Sequence, residues 1–316
     1  MEQIGWYRRD VLRGLSVIAG AAILGASATP ASAQQVKYSS GTEPPKLRVP
    51  ANGCDCHHHI YGSQYKVDPR STLRPGDATV DDYRGLQKRR NVIVQPSTYG
   101  TENAPTLDAL VAVGPSARAV VVVDTTVTDS ELKRMQGLGA RGIRFNLAQA
   151  GATTPEMIEP LSKRVNDLGW HIQINASPET IMEIMPILEK VPSPIVFDHL
   201  AHIPEPDGIN HPLFGKVRAL IDKGKTWVKL SGAYADTKVG PPTYADSSAI
   251  ARAYVKAAPE RLVWGSDWPH PGVRDPDPKP DDAILIDLML DWAPNEAVRN
   301  RIFVDNAAAL YDYSKS

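Results

Sequence analysis

After Asn52 the chain alternates short apolar runs rich in β-branched residues with longer stretches whose apolar positions return every three or four residues. Eight such runs occur, at 54–60, 91–95, 119–123, 142–145, 171–174, 195–197, 227–230 and 262–264. The stretches between them carry helix start and stop signals. Thr79 precedes Val80, Tyr83 and Leu86; Asp129 precedes Leu132, Met135 and Leu138; Thr154 and Pro155 precede Ile158, Leu161, Val165 and Leu168, which Gly169 closes.

Strands that are apolar on both faces, in regular alternation with helices, predict a parallel sheet covered by helices. Eight units within 52–316 fit a single α/β domain of the (β/α)8 TIM-barrel type better than an open doubly wound sheet. No Gly-x-Gly-x-x-Gly follows the first strand, which weakens a dinucleotide-binding reading. Barrel chemistry sits at the C-terminal ends of the strands, so polar residues there are the candidates.

The first run reads Cys54-Asp55-Cys56-His57-His58-His59-Ile60. Strict two-residue alternation sends Asp55, His57 and His59 to one face and Cys54, Cys56, His58 and Ile60 to the other, so His57 and His59 are expected at the mouth and His58 and the thiols against the helices. The sixth run ends in Asp198, His199 and His202, and the eighth continues into Gly265-Ser266-Asp267-Trp268-Pro269-His270. One carboxylate among several imidazoles suits the activation of water, with Asp267 as base and His57, His59 and His199 as polarising donors or as ligands of an ion. Taken singly, Asp267 can be a helix cap and the histidines a hydrogen-bonded polar plug; taken together, they favour chemistry.

Composition narrows the reading. The 316 residues hold 35 Lys and Arg against 36 Asp and Glu, a net charge of −1, and this gives no electrostatic reason to expect nucleic acid or an anionic membrane as partner. The two cysteines, Cys54 and Cys56, stand at the outer limit of disulfide reach and read as free buried thiols. At the N-terminus Tyr7-Arg8-Arg9 precedes a moderately apolar run from Gly14 and an Ala31-Ser32-Ala33 ending, which resembles a bacterial twin-arginine export signal. The run is too short to span a bilayer. This predicts passage through the Tat translocase, cleavage near Ala33, and a periplasmic or secreted protein. Residues 34–51, with Pro44, Pro45 and Pro50, read as a linker or surface strap.

Several blocks together carry a resemblance: Asp55-x-His57-x-His59, Asn91-Val-Ile-Val-Gln95, Arg141-Gly-Ile-Arg-Phe-Asn146, Pro194-Ile-Val-x-Asp-His199, Trp264-Gly-Ser-Asp-Trp-Pro-His-Pro271, and Asp305-Asn306 ahead of Leu310-Tyr311. The mature chain resembles the amidohydrolase superfamily, within it the branch of 2-pyrone-4,6-dicarboxylate lactonase and galactarolactone isomerase. The resemblance implies a distorted TIM barrel that adds water to a small lactone, with Asp267 activating the water and His57, His59 and His199 around the carbonyl. Metal-dependent members add a bridging Lys or Glu on the fourth strand and a histidine on the fifth. Here those strands offer Arg144 with Asn146, and Gln173 with Asn175, while His171 falls at a strand's beginning. A binuclear centre therefore lacks its bridge; the expectation is a site requiring no cofactor, or else a single Zn or Mn on His57, His59 and Asp267.

Arg144 suits a substrate carboxylate. The resemblance implies several arginines around a multiply anionic substrate, but the positions that align with the other basic ones hold Gln149, His202 and Ala235, so the expectation is a less charged, hydroxylated lactone such as a sugar-acid lactone. Ser97, Tyr99, Asn175, His202, Tyr234 and His270 are the further substrate-binding candidates. Lactone isomerisation by nearly the same residues is the first alternative, and a ligand-binding barrel without turnover is the second. Oligomeric state is not legible.

Overall fold

A computed structural model describes residues 35–314 apart from Lys88, Ala150 and Asp275. The export signal read at 1–33 lies outside the described residues. Eight parallel strands run in chain order: β1 Cys54–His58, β2 Arg90–Val94, β3 Ala117–Val121, β4 Ala140–Asn146, β5 His171–Asn175, β6 Ile195–Phe197, β7 Thr226–Leu230 and β8 Leu262–Trp264. Each run read as a strand is one, because a strand buried on both faces is recognised by apolarity alone.

Helices cover the outside, and their starts follow local chemistry. Thr79 forms a capping box with Asp82 at Val80–Leu86, Ser177 caps Pro178–Leu188, and the helix Asp129–Leu138 is capped by Thr128, one residue before the expected Asp129. Residues 35–51 form a strap: Trp268 Nε1 donates to Lys37 C=O (2.7 Å), and the N–H groups of Lys46 and Leu47 donate to Asp287.

The expected faces of β1 are corrected. Cys54 and Cys56 point into the barrel, where they pack with Val92, Val94, Val120, Val196, Trp227 and Val263, and the helix Asn306–Tyr311 closes that end with Ala307, Ala308 and Tyr311. Asp55 faces outward instead, accepting from Tyr83 Oη (2.9 Å) and from Ser266 N (2.9 Å) and Oγ (2.6 Å). The cause is a β-bulge: Asp55 pairs with Asn91 but His58 with Ile93, so three steps along β1 meet two along β2. The extra residue resets the alternation. Cys56 and His57 both face the interior, while His58 lies outside, stacked on Tyr83 at 3.6 Å. The thiols are free and buried.

The seam between β8 and β1 closes beyond the strand ends. Asp267 N–H donates to His57 C=O and His59 N–H to Trp268 C=O, each at 2.8 Å. Gly265 makes that approach possible, since a Cβ there would stand 2.6 Å from His57 Cβ.

Candidate active site

His57 stands near the end of β1 and His59 just beyond it, His199 follows β6 and Asp267 follows β8. His199 and Asp267 leave their strands in left-handed backbone, with φ of 47° and 61°, which swings both side chains over the C-terminal mouth. That conformation costs a non-glycine residue about 1 kcal/mol or more, and it is a feature that clusters at functional sites.

The four side chains converge. Asp267 Oδ1 lies 3.4 Å from His57 Nε2, 3.3 Å from His59 Nε2 and 3.9 Å from His199 Nε2, and the Nε2 atoms of His57 and His59 are 3.2 Å apart. Each ring is oriented through its other nitrogen: His59 Nδ1 by Val94 C=O (2.7 Å), His199 Nδ1 by Ser231 Oγ (3.0 Å), and His57 Nδ1 by Lys229 Nζ (3.1 Å). Tyr234 Oη donates to Asp267 Oδ2, whereas Oδ1 is buried and carries no hydrogen bond.

Burial favours the neutral forms of His57 and His199. It pushes His199 down to about 4, and it holds His57 well below the ordinary histidine range with help from the Lys229 ammonium. Burial alone would raise the Asp267 carboxyl, but the surrounding imidazoles outweigh it and keep Asp267 ionised. The site therefore presents a carboxylate held below its ordinary range, with one oxygen free of hydrogen bonds and three imidazoles in contact, the arrangement a general base needs.

Beneath the rings lies a second layer. Asp198 Oδ2 accepts from Arg144 Nε (3.2 Å) and Gln173 Nε2 (3.0 Å), while Lys229 Nζ donates to Gln173 Oε1 (2.7 Å) and faces Asp198 Oδ1 at 3.4 Å. Lys229, fully buried, is the principal residue that sequence reading missed; it stands in an apolar strand, and its only signal was a lone charge in that run. Tyr61 was missed as well.

Above the rings opens a cavity of about 240 Å³. Among the substrate-binding candidates it is lined by Arg144, Ser97, Asn175, His202 and Tyr234, and also by Asn146, Gln149 and Tyr61. His202 is held between Asp236 (2.8 Å) and Asn175 (2.8 Å). Two candidates are corrected. Tyr99 does not line this cavity: its hydroxyl accepts Gly62 N–H (2.9 Å) and donates to Gly62 C=O (3.1 Å), tying down a loop. His270 is fully buried behind Tyr234, between that hydroxyl (3.3 Å) and Asp282 (3.1 Å), so it supports the wall and does not face the cavity. His171 sits lower in the barrel, edge-on to Tyr311.

Spacing alone admits a cation. His57, His199 and Asp267 each bring one donor atom within 4.8 Å of the others, and the 3.2–3.4 Å triangle of His57, His59 and Asp267 resembles the edge of about 3.3 Å in a tetrahedral zinc site. The chemistry around the donors does not fit. Arg144 and Lys229 both pair with Asp198, so two buried cations already stand beneath the rings and a dication would add to them with Asp267 as the one carboxylate facing it. In addition, the far nitrogen of His57, where a metal-binding histidine has a hydrogen-bond acceptor, faces the Lys229 ammonium at 3.1 Å as well as Asp198 Oδ1 at 3.2 Å.

A parallel (β/α)8 barrel with imidazoles and one ionised aspartate at its strand ends defines a barrel hydrolase of the water-activating kind. The family model described as amidohydrolase matches residues 54–313, and the chain belongs to the amidohydrolase family. It is 32% identical to a D-galactarolactone isomerase of Agrobacterium fabrum over 88% of this chain and 97% of the relative. It is 31% identical to a 4-sulfomuconolactone hydrolase of Rhizobium radiobacter (85% and 92%) and 29% identical to a 2-pyrone-4,6-dicarboxylate hydrolase of Comamonas testosteroni (84% and 92%). An apo crystal structure of an Agrobacterium tumefaciens protein superposes with a TM-score of 0.82 at 31% identity, covering 89% of this chain and all of that one.

Proposed function

We propose that this amidohydrolase opens a small lactone by addition of water, with Asp267 as general base. The observation that carries this reading is Asp267 Oδ1: a buried, ionised oxygen with no hydrogen bond, beside the cavity and ringed by imidazoles, while Tyr234 occupies Oδ2. Water held against Oδ1 gives it a proton and attacks the lactone carbonyl. The oxyanion forms beside His199, whose ring lines the cavity and whose Nε2–H is the available donor. As the tetrahedral species collapses, the ring C–O bond breaks and the leaving oxygen takes the proton back from Asp267, so atoms and charge balance. No metal is required in this scheme.

The cavity supports a substrate with one carboxylate and several hydroxyls. Among the described residues Arg144 is the one lysine or arginine lining it, and Ser97, Asn146, Gln149 and Asn175 offer amide and hydroxyl groups; Gln149 Oε1 is buried without a hydrogen-bond partner and would accept a substrate hydroxyl. The names of the relatives, two lactone hydrolases and one lactone isomerase, support a lactone. The test is a panel of aldonic, aldaric and muconic lactones followed by acid release and carbon NMR. Acid release with a ring-opened product supports hydrolysis; a ring-shifted lactone without acid would replace it with isomerisation; saturable binding without turnover would overturn the enzyme reading.

We also propose export, from the arginine pair Arg8-Arg9 and the Ala-x-Ala ending at Ala33. A periplasmic protein beginning at Gln34 would support it, and an uncleaved cytoplasmic chain would overturn it.

A further inference from the structure

The hydrogen-bond directions around His57 give Lys229 a role of its own. Lys229 Nζ has three polar neighbours: Gln173 Oε1 at 2.7 Å, His57 Nδ1 at 3.1 Å and Asp198 Oδ1 at 3.4 Å. An ammonium has three protons and no lone pair, so its two hydrogen-bond partners, Gln173 Oε1 and His57 Nδ1, must accept, while Asp198 Oδ1 is an ion-pair partner without a hydrogen bond. Gln173 agrees, since its amide nitrogen is already engaged as a donor to Asp198 Oδ2. His57 Nδ1 is then unprotonated, and the neutral ring carries its proton on Nε2. On the other side, His59 Nδ1 faces the carbonyl of Val94, which can only accept. His59 is therefore protonated on Nδ1 and offers a lone pair at Nε2. The two Nε2 atoms, 3.2 Å apart, are one donor and one acceptor. A directed chain results, from Lys229 through His57 and His59 to Val94 C=O.

We propose that Lys229 is a positioning residue which, through this chain, fixes His57 as the Nε2-protonated tautomer, so that Asp267 Oδ1 is the one proton acceptor left on the cavity floor. The alternative is built into the same site. Asp198 Oδ1 lies 3.2 Å from His57 Nδ1 and carries no hydrogen bond. Without Lys229, His57 turns its proton to Asp198 and presents a lone pair at Nε2. His57, His59 and Asp267 then offer three lone pairs in a triangle, which is a cation site whose histidine is backed by a carboxylate. Lys229 thus supplies positive charge from beneath and closes the site to metal by setting one proton.

Histidine-selective 15N NMR tests the wild-type protein directly: His57 is expected as the Nε2–H tautomer, and finding Nδ1–H overturns the proposal without any variant. In Lys229→Met the tautomer switches to Nδ1–H, and zinc affinity measured calorimetrically on chelator-treated protein rises roughly tenfold or more. Equal zinc affinity in the two proteins overturns it. The kinetic arm rests on the proposed lactone reading: kcat falls about tenfold with KM within about twofold, and an unchanged kcat overturns that arm. The tautomer and zinc arms stand whatever the substrate, so failure of the lactone reading is seen separately.

Discussion

Asp267 and His57 are joined twice: the Asp267 N–H donates to the His57 carbonyl at 2.8 Å, and Asp267 Oδ1 stands 3.4 Å from His57 Nε2. The residues that close the barrel seam are those that form the site. Their side-chain geometry therefore inherits the precision of a backbone hydrogen bond, which is what a preorganised base requires. Perturbing the seam and perturbing the chemistry are separable, because one acts through backbone and the other through a carboxylate oxygen.

Asp267→Asn keeps the size of the side chain and the backbone bond but removes the proton acceptor. Lactone turnover should fall by roughly 10³-fold, within the range of lost general-base catalysis, while the melting temperature stays within about 5 °C. Activity above a tenth of wild type would remove Asp267 from the role of base.

Gly265→Ala attacks the seam instead. The added methyl would stand 2.6 Å from His57 Cβ and 2.9 Å from its backbone nitrogen, and backbone cannot swing away. A loss of about 1–3 kcal/mol is expected, seen as a lower melting temperature together with weaker activity. Gly215→Ala, in the helix Pro212–Asp222 with no atom within 4 Å, is the comparison and should be neutral or stabilising. Equal melting of the two variants would mean the seam tolerates the methyl.

Acid should destabilise this fold well above the carboxylate range. Burial holds His58 and His171 at about 3 and His199 at about 4, so the folded chain keeps them neutral where the unfolded chain takes up protons below about 6.5. The stability present above pH 6.5 is lost progressively as pH falls from there through about 4 and towards 3. Thermal melts should show a drop of roughly 5–10 °C between pH 7 and pH 5; a flat profile would mean that these rings are already charged in the native state.

Dialysis against a strong chelator should leave turnover within about twofold of the untreated enzyme, because the Arg144 and Lys229 cations, both paired with Asp198, already stand beneath the rings where a dication would sit. Stoichiometric zinc by elemental analysis, with activity lost on its removal and restored on its return, would contradict this.

Much of the fold was legible because its signals are local. Apolar runs of three to seven residues, capping threonines and serines, and polar residues at strand ends need only neighbours in sequence to be read, and barrel topology then places every strand end on one mouth. His57, His59, His199 and Asp267 were found that way. Three features lay beyond reach. The bulge that sends Asp55 outward and Cys56 inward depends on the pairing partner in β2. Tyr99 and His270 sit beside the mouth in sequence, but Gly62 in one case, Tyr234 and Asp282 in the other, hold them away from it. Lys229 looked like a blemish in a buried strand.

The amino-acid order by itself determined eight strands, their helical cover and the four groups at the mouth, because periodicity and strand ends are short-range properties. Tertiary structure alone decided which nitrogen of each imidazole faces Asp267. That choice belongs to hydrogen-bond partners far away in sequence, such as Lys229, 172 residues from His57, and a proton's position is set by whichever donor or acceptor the fold brings within 3 Å or so.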